Sequence, residues 1–258
     1  MLRTKLILLD LDGTVYRGEV PVPGAAEAIR DARIAGLRVL FVTNRANRSP
    51  GVVVRQLRSL GIECRKDDVI TSAAATASYC AAHGGRRCHI VGERGVREAF
   101  AAQGLPTVDE APVDWVVVSL DRKFTYAKLA RASAFILGGA RFVITNSDQR
   151  ITIGDDILPE SGAIAASIQA VTGVEPIVIG KPSPTLFQEA LRMAGCAPKE
   201  ALAVGDYLGT DIAAAKAAGI PSCLMLTGVS TRQDVERSTL RPDIVCEGWR
   251  DFRNALRG

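Results

Sequence analysis

The sequence predicts an α/β protein with a Rossmann-like, doubly wound and mostly parallel sheet, into which a smaller α/β cap domain is inserted. Strand and helix signals alternate along all 258 residues, which is typical of parallel strands joined by crossover helices. Four predicted strands are continuous apolar runs, as expected for buried parallel strands. They are Leu6 to Leu9, Val39 to Val42, Ile177 to Ile179 and Leu202 to Val204.

Small polar residues, glycine and proline mark the ends of the elements in the first part of the chain. Pro23-Gly24 and Gly36 bound the first helix, and Ser49 is placed to cap the second. The predicted elements are a helix from Ala25 to Ala35, a strand from Arg38 to Val42, a helix from Pro50 to Leu60, a strand at Val69-Ile70 and a helix from Thr71 to Ala82.

The middle of the chain repeats this alternation without an acidic motif at any strand end. We therefore predict an inserted domain over residues 85–175, with a discontinuous core formed by residues 1–84 and 176–258. Its predicted strands are His89 to Val91, Trp115 to Ser119 and Phe142 to Thr145, and its predicted helices are Gly95 to Ala102, Thr125 to Leu137 and Gly162 to Val171.

The last part of the chain returns to strands that end in polar residues. Ser183 and Pro184 favour the start of a helix that continues to Ala194. The remaining predicted elements are the strand Leu202 to Val204, a helix from Asp211 to Ala218 that Gly219 ends, and closing strands at Ser222 to Met225 and Ile244-Val245.

Composition excludes several classes of protein. The formal net charge is only +4 and aromatic residues make up 5%, which argues against a nucleic-acid partner. The six cysteines form no CxxC pair, so a zinc or redox motif is not expected. No apolar stretch has the roughly 18 residues that a membrane span needs. We therefore expect a cytoplasmic protein with neither a membrane nor a nucleic acid as partner.

Polar residues follow each of the four apolar runs. They are Asp10 and Asp12 with Gly13 and Thr14, then Thr43-Asn44, then Gly180-Lys181-Pro182, and last Gly205-Asp206 with Thr210-Asp211. Ligands of open α/β sheets bind at the carboxyl ends of the strands. The sequence therefore predicts that these carboxylates, the threonine hydroxyl and the lysine meet at one site for a phosphate and a divalent cation.

Each motif taken alone also has an ordinary interpretation. An Asp-Gly pair is common in turns, a lysine beside Gly180 is often exposed, and Asp211 suits the first turn of a helix. Two carboxylates as close as Asp10 and Asp12 repel each other unless a cation or a proton intervenes. Mg²⁺ prefers oxygen ligands and needs only one or two carboxylates besides phosphate and water, so the joint occurrence favours a metal-assisted site.

These motifs resemble those of the haloacid dehalogenase superfamily of phosphatases. The similarity is greatest to its NagD-like, or para-nitrophenyl-phosphatase-like, branch, which carries an α/β cap between the second and third motifs. The segments that support the resemblance are Asp12 to Gly18, Leu120-Asp121-Arg122, Phe124-Thr125-Tyr126, Thr145 to Asp148, Gly180 to Pro184 and Gly205 to Ile212. Together they extend over almost the whole chain.

The resemblance implies a role for each motif residue. Asp10 would be the nucleophile that forms an aspartyl-phosphate, and Asp12 the general acid and later the base. Thr43 and the Asn44 backbone would hold the phosphate, and Lys181 would screen charge between phosphate and Asp10. Mg²⁺ would be held by Asp10, the carbonyl of Asp12 and Asp206, with Asp211 in support.

One position departs from the pattern of that branch. A second asparagine often follows Thr-Asn there, whereas this chain has Arg45. Arg45 and Arg150, in the polar segment from Asp148 to Asp156, are therefore predicted to contact the leaving group and to set specificity. The other interpretation of both is a solvent-exposed side chain.

We expect a Mg²⁺-dependent phosphatase for a small phosphorylated metabolite, such as a nucleotide, a sugar phosphate or phosphoglycolate. A phosphomutase and a phosphate-binding protein without activity are the alternatives. Relatives of this kind often dimerise through the cap, so a homodimer is expected. The sequence does not identify the substrate.

Overall fold

The computed structural model describes residues 4–153 and 156–257. Two compact units are formed. The first contains Met1–Thr43, Pro50–Ile70 and Lys181–Gly258, and the second contains Asn44–Ser49 and Thr71–Gly180. The second unit therefore includes a helix and a loop that lie outside the predicted range 85–175. The assignment of the two parts as catalytic core and cap stays a prediction.

The strands among the described residues are numbered in chain order. They are β1 (Leu6–Leu9), β2 (Tyr16–Arg17), β3 (Val20–Pro21), β4 (Arg38–Thr43), β5 (Val69–Thr71), β6 (Cys88–Val91), β7 (Trp115–Val118), β8 (Arg141–Ile144), β9 (Arg150–Ile153), β10 (Asp156–Pro159), β11 (Ile177–Val178), β12 (Ala201–Gly205), β13 (Ser222–Met225) and β14 (Ile244–Cys246).

The helices are numbered in the same way. They are α1 (Ala25–Ile34), α2 (Pro50–Ser59), α3 (Ser72–Ala82), α4 (Arg94–Ala102), α5 (Tyr126–Leu137), α6 (Ser161–Thr172), α7 (Thr185–Ala194), α8 (Ala213–Ala217), α9 (Arg232–Arg237) and α10 (Trp249–Arg257). No helix in the described part of the chain is long and apolar enough to cross a membrane.

The first unit is built on a six-stranded sheet in the order β14-β13-β12-β1-β4-β5. Strand β1 lies between β12 and β4 and is parallel to both. All four residues of β1 and all five of β12 are buried, because apolar side chains cover both faces of the sheet. The parallel order places the carboxyl ends of β1, β4 and β12 at one edge, and this confirms the predicted fold class.

The second unit has its own parallel sheet in the order β11-β8-β7-β6, together with an antiparallel hairpin of β9 and β10. Helices α5 and α6 pack on this sheet through an apolar cluster that includes Val116, Phe142 and Ile168. The expectation that Ile177 to Ile179 forms a buried strand of the catalytic sheet is wrong. Strand β11 pairs with β8, and Ile177 is 38% exposed.

Further elements differ from the sequence-based expectation, and the short strands β2, β3, β9 and β10 were also not predicted. The helix predicted from Asp211 to Ala218 begins as a π-helical turn, Leu208–Ile212, before the α-helical hydrogen bonds of α8 start. Near the C-terminus, α9 and α10 were not predicted. Helix α10 has the most strongly amphipathic pattern in the chain and buries Trp249 and Phe252 in the first unit, so its periodicity was the signal that could have found it.

Candidate active site

Asp10 and Asp206 emerge from neighbouring strands of the first unit. Asp10 follows β1, and its backbone N–H donates a hydrogen bond of 2.9 Å to the carbonyl of Val204 in β12. Asp206 follows β12 directly. Both carboxylates are buried, with exposures of 8% and 2%, so the parallel register of the two strands brings two acidic groups together away from bulk water.

Two glycines make room for the Asp206 carboxylate. Gly13 has a φ of +81°, and a Cβ atom on it would lie 2.3 Å from Oδ2 of Asp206. A Cβ atom on Gly228 would lie 1.8 Å from the same oxygen. Asp206 Oδ2 accepts a 2.7 Å hydrogen bond from the backbone N–H of Val229, and Oδ1 accepts one of 3.3 Å from the Thr14 hydroxyl.

Asp211 lies in the π-helical turn that follows β12. The backbone N–H of Tyr207 donates a hydrogen bond of 3.1 Å to Asp211 Oδ2. A Cβ atom on Gly205 would lie 2.3 Å from Cγ of Asp211, so glycine is required where β12 ends. The turn therefore directs a second acidic side chain of this segment back toward the strand end.

Lys181 connects two of the carboxylates. Its ammonium group donates to Asp10 Oδ1 at 2.5 Å and to Asp211 Oδ1 at 2.6 Å, and it lies 3.5 Å from the carbonyl oxygen of Val42. The residue is only 2% exposed. A buried ammonium with two carboxylate partners is held in one position, which suits a group that must remain next to a reacting atom.

Burial and neighbouring charge shift the acidities within this cluster. Burial raises the pKa of Asp10, and the charges of Asp211 and Asp206 add to this, while Lys181 acts in the opposite direction. The pKa of Asp206 is raised to about 6, mainly by burial and then by Asp211. For Lys181, burial acts to lower the pKa, but the Asp10 and Asp211 carboxylates outweigh it, so the pKa is raised and the amine stays charged.

The cluster is suited to a divalent cation. One carboxylate oxygen each from Asp10, Asp206 and Asp211 lies within 4.8 Å of the others. Three carboxylates against one ammonium leave a formal charge of −2 when all are ionised, in a site where unpaired charge is costly. The donors are oxygen atoms without histidine or cysteine, which is the ligand set that Mg²⁺ prefers. The residues present therefore fit the ion that the motifs predicted.

Asp12 is not part of this side-chain cluster. It is half-buried and lies in the turn in which the N–H of Gly13 donates to the carbonyl of Tyr16 at 2.8 Å. The Thr227 hydroxyl donates to the carbonyl of Gly13 at 2.7 Å, which fixes the turn from the other side. The proton-transfer role of Asp12 and the use of its carbonyl as a metal ligand stay predictions.

Thr43 and Asn44 lie at the boundary between the two units. Thr43 is the last residue of β4 and is 2% exposed. Asn44 belongs to the second unit, where its Nδ2 donates to Asp148 Oδ2 at 3.2 Å. Its carbonyl accepts hydrogen bonds from the hydroxyl of Ser72 at 2.7 Å and from Nδ2 of Asn146 at 3.0 Å. The Asn44 backbone is therefore held by two polar side chains, and a third contacts its side-chain amide.

The two predicted specificity residues have different surroundings. Arg45 lines a cleft within the second unit, whereas Arg150 is exposed at the start of β9 and does not line that cleft. The predicted polar segment from Asp148 to Asp156 contains the hairpin strand β9, and two of its members, Gly154 and Asp155, lie outside the described residues.

Sequence reasoning missed the loop that follows β13. Thr227, Gly228 and Val229 contact the Gly13 turn and the Asp206 carboxylate, as described above, although they carry no acidic or basic group. The available signal was their position, because this loop also follows an apolar strand in the same parallel sheet. A site search limited to charged residues overlooks backbone donors of this kind.

Comparison with known proteins identifies the family of the chain. Residues 7–106 match the family model of haloacid dehalogenase-like hydrolases, and residues 178–252 match a second model described as HAD-hydrolase-like. An acid sugar phosphatase from Staphylococcus aureus strain USA300 is 37% identical over 257 residues, covering 99% of this chain and 98% of the relative.

Solved structures of similar sequence have the same fold. A p-nitrophenyl phosphatase from Archaeoglobus fulgidus superposes with a TM-score of 0.93 at 33% identity, covering 98% of this chain and 99% of the other. NagD from E. coli K-12 gives 0.90 at 30% identity, with 95% and 97% covered. A glycerol phosphate phosphatase from Mycobacterium tuberculosis, solved in complex with magnesium, gives 0.89 at 37% identity, with 96% and 76% covered.

Proposed function

Because the chain belongs to the haloacid dehalogenase-like hydrolases, as a NagD-like phosphatase, we propose that it hydrolyses a small phosphate monoester in a Mg²⁺-dependent reaction through an aspartyl-phosphate on Asp10. The observation that carries this proposal is the buried group of Asp10, Lys181, Asp206 and Asp211. Such a group suits phosphoryl transfer, in which the protein mainly positions reactants and offsets charge.

In the first step, a carboxylate oxygen of Asp10 attacks phosphorus, and the bond from phosphorus to the ester oxygen breaks. Asp12 donates a proton to the departing oxygen, so the leaving group departs as an alcohol. Lys181 fixes Asp10 through its Oδ1 atom, which holds the carboxylate in one orientation before the attack. A positioned nucleophile replaces one difficult displacement by two easier ones.

In the second step, Asp12 accepts a proton from a water molecule that attacks the phosphorus of the aspartyl-phosphate. The bond from phosphorus to the Asp10 oxygen breaks, which releases inorganic phosphate and restores the carboxylate. Thr43 and the Asn44 backbone would bind phosphate oxygens in both steps. Lys181 remains paired with Asp211, so its ammonium stays in place while Asp10 is esterified.

We assign the divalent site to Asp10, Asp206 and the carbonyl of Asp12, with Asp211 in support. When bound, Mg²⁺ would offset the excess negative charge of this cluster and that of the phosphoryl group. Burial is the main cause of the raised pKa of Asp206, and the neighbouring charge of Asp211 adds to it.

The substrate is a small phosphorylated metabolite. The relatives include an acid sugar phosphatase, a glycerol phosphate phosphatase and a p-nitrophenyl phosphatase. These names make sugar and polyol phosphates the first candidates, before nucleotides and phosphoglycolate. A phosphomutase on the same scaffold would transfer the phosphoryl group to a second hydroxyl instead of water. Arg45 and Arg150 are proposed to contact the part of the substrate that leaves.

Phosphate release from p-nitrophenyl phosphate and a metabolite panel tests the proposal. We expect activity with Mg²⁺, none with excess chelator, and poor activity with Ca²⁺, which takes more ligands at longer distances. Asp10→Asn should lower kcat by several orders of magnitude, while Asp67→Asn, at an exposed residue outside the site, should retain wild-type activity.

Several outcomes would refute the proposal. They are equal rates with chelator and with Mg²⁺, substantial turnover by a verified Asp10→Asn protein, or retention of all phosphoryl groups on organic products.

A homodimer through the inserted domain and a cytoplasmic location are further proposals. Sedimentation equilibrium measures the oligomeric state, and cell fractionation measures the location.

A further inference from the structure

The turn that carries Asp12 contains a flexible residue at its centre. This turn, residues 12–17, leaves β1 and is closed by the N–H of Gly13, which donates to the carbonyl of Tyr16 at 2.8 Å. Gly13 has a φ of +81°, and glycine has more backbone freedom to lose than any other residue. The direction of Asp12 therefore depends on how firmly both peptide groups of Gly13 are held.

Thr227 holds this turn at two points. Its hydroxyl donates to the carbonyl of Gly13 at 2.7 Å, and its own carbonyl accepts a hydrogen bond of 2.7 Å from Nε of Arg17. Thr227 lies in the loop after β13 and is 8% exposed, so water has little access to its hydroxyl. One residue of the first unit thus connects the beginning of the turn with its far end at Arg17.

Trp249 holds the next carbonyl of the turn. Its indole Nε1 donates to the carbonyl of Thr14 at 3.0 Å, where Trp249 is 2% and Thr14 is 0% exposed. The indole packs edge-to-face on Phe252, with ring centroids 5.2 Å apart. A buried carbonyl that loses its donor has no water to replace it, so this hydrogen bond is costly to break.

The hydroxyl of Thr14 connects the same turn to the buried cluster, because it donates to Asp206 Oδ1 at 3.3 Å. The three partners of the turn, Asp206, Thr227 and Trp249, follow it by 192 to 235 positions in the sequence. They come from the loops after β12 and β13 and from α10. Three separate elements of the first unit therefore converge on the residues directly after Asp12.

Precise placement matters most for a group that transfers a proton. A general acid must be within hydrogen-bond reach of the atom that it protonates, and a misplacement of about 1 Å can cost up to about 10²-fold in rate. Asp12 is the residue proposed to protonate the departing ester oxygen. Contacts that fix its turn before the reaction therefore affect this step more than they affect attack by Asp10.

We propose that Thr227, supported by Trp249, is a positioning residue for the reaction. By holding the carbonyl of Gly13, Thr227 sets the orientation in which Asp12 donates its proton to the leaving group. It acts through the backbone of the turn and not on the reacting atoms. This inference rests on the proposed function, because it concerns the step in which Asp12 is the acid.

Two substrates of nearly the same shape measure this step. Phenolate is a much poorer leaving group than p-nitrophenolate, so phenyl phosphate needs more help from an acid than p-nitrophenyl phosphate does. The value of kcat/KM includes the steps up to departure of the leaving group. The ratio of kcat/KM for phenyl phosphate to that for p-nitrophenyl phosphate therefore reports the acid, whereas a loss of folded protein lowers both values equally.

Variants of Thr227 test its hydroxyl. Thr227→Val removes the hydroxyl with little change in shape, and we expect the ratio to fall by about tenfold. Thr227→Ser keeps the donor and should stay within about threefold of the wild-type ratio, well above the valine variant. Thr231→Val removes an exposed hydroxyl that caps α9 in the same unit, so this control should keep the wild-type ratio even if it melts earlier.

Tryptophan variants give a second, independent test. Trp249→Phe removes the indole N–H and should lower the ratio in the same direction. Trp115→Phe changes the other tryptophan of the chain, which is buried in the second unit, and should leave the ratio unchanged. If Thr227→Val does not fold, the ratio of Trp249→Phe decides.

The inference is overturned if Thr227→Val lowers kcat/KM equally for both substrates, or if Thr227→Ser lowers the ratio as much as Thr227→Val. Asp12→Asn separates these results from failure of the proposed function, and it should give the largest fall in the ratio. An unchanged ratio in Asp12→Asn refutes the proposed role of Asp12 and the inference with it. A fall in Asp12→Asn without one in Thr227→Val overturns the inference alone.

Discussion

Charge is held differently in two regions of the molecule. One is the cluster of carboxylates and Lys181 in the first unit, and the other is the cleft of the second unit that is lined by Arg45, Arg48, Glu93 and Arg122, here called the arginine cleft. Lys181 is 2% exposed and bonded to two carboxylates within 2.6 Å. The side chain of Arg122 is 61% exposed, and its partner Glu93 is at the edge of an open cleft. Charges without water interact strongly, whereas exposed pairs are weakened by solvent.

This difference separates chemistry from recognition. The buried cluster holds its groups in one geometry, as a reaction step on phosphorus requires. In the arginine cleft, Arg122 is exposed and Arg45 and Arg48 are half-buried, so a substitution there disturbs the buried core less than one in the cluster. We therefore expect substitutions in the buried cluster to affect both activity and stability, and substitutions in the cleft to affect mainly the choice among substrates.

Replacing Lys181 by methionine gives the largest expected effect. The variant leaves Asp10 and Asp211 buried without their common cation, which costs about 3–5 kcal/mol of stability when one partner of a buried pair is removed. We expect kcat/KM to fall by about 10³-fold and the urea midpoint, measured without metal, to fall clearly.

The double variant Lys181→Met/Asp211→Asn separates the two effects. Removing the second charge should recover part of the lost stability, because fewer buried carboxylates remain unpaired, but it should not restore activity. Recovery of activity together with stability would show that Lys181 acts only as a structural partner. A Lys181→Met protein that keeps a tenth of the wild-type kcat/KM would directly contradict the proposed role of Lys181 in the reaction.

The buried cluster was also the part that the sequence predicted best. Asp10, Lys181, Asp206 and Asp211 follow apolar runs, and a parallel sheet brings such strand ends together whatever the loops do. Lys181 lies beside Asp10 and Asp211, but the strand assignment on which its prediction was based is wrong, because β11 belongs to the sheet of the second unit. Short apolar runs indicate strands but do not say which sheet they join.

The cleft of the second unit was not predicted, although one residue that lines it, Arg45, was a predicted site residue. Arg48, Glu93 and Arg122 come from separate loops, and their approach depends on tertiary packing such as that of Gly95 on the 45–48 loop. Neither hydrophobic periodicity nor the position of a residue at a strand end predicts a contact between separate loops. The buried carboxylate of Glu160 was missed for the same reason, since nothing in the local sequence marks it as buried.

Replacing Gly228 by alanine gives an intermediate effect on the buried cluster. The new Cβ atom would lie 1.8 Å from Asp206 Oδ2, so the carboxylate or the loop must move. The backbone of Gly228 is not in the left-handed region, so alanine causes no backbone strain there. Any effect of the variant therefore comes from the contact of its Cβ atom with Asp206. We expect the Mg²⁺ concentration for half-maximal activity to rise at least about tenfold, since a displaced ligand weakens a metal site.

Gly61→Ala is the matched control, because Gly61 has a φ of +76° and open space around it. That variant should lose about 1 kcal/mol of stability from backbone strain and keep the metal dependence of the wild type. A Gly228→Ala protein with an unchanged Mg²⁺ titration would show that Asp206 is not held where metal binding needs it.

The smallest expected effect concerns Glu160, which borders the cleft. Its Oε1 accepts hydrogen bonds from Asn146 and Ser161, while Oε2 is buried with no partner among the described residues. Burial raises the pKa of Glu160 in the folded protein. Its contribution to stability is therefore fully present below about pH 4.5, its unfolded value, and is lost as pH rises through the raised folded pKa.

Glu160→Gln keeps an oxygen acceptor and removes this titration. The free energy of unfolding of the variant minus that of the wild type should therefore increase with pH above about 4.5 and reach about 1 kcal/mol, the scale of one unsatisfied buried group. Because the two proteins share all other titrating groups, including Asp206, the contributions of those groups to the free energy of unfolding cancel in the difference. Glu19→Gln, at an exposed residue, is the control and should give a flat difference. A flat difference for Glu160→Gln would mean that its carboxylate is as well solvated in the folded protein as in the unfolded chain.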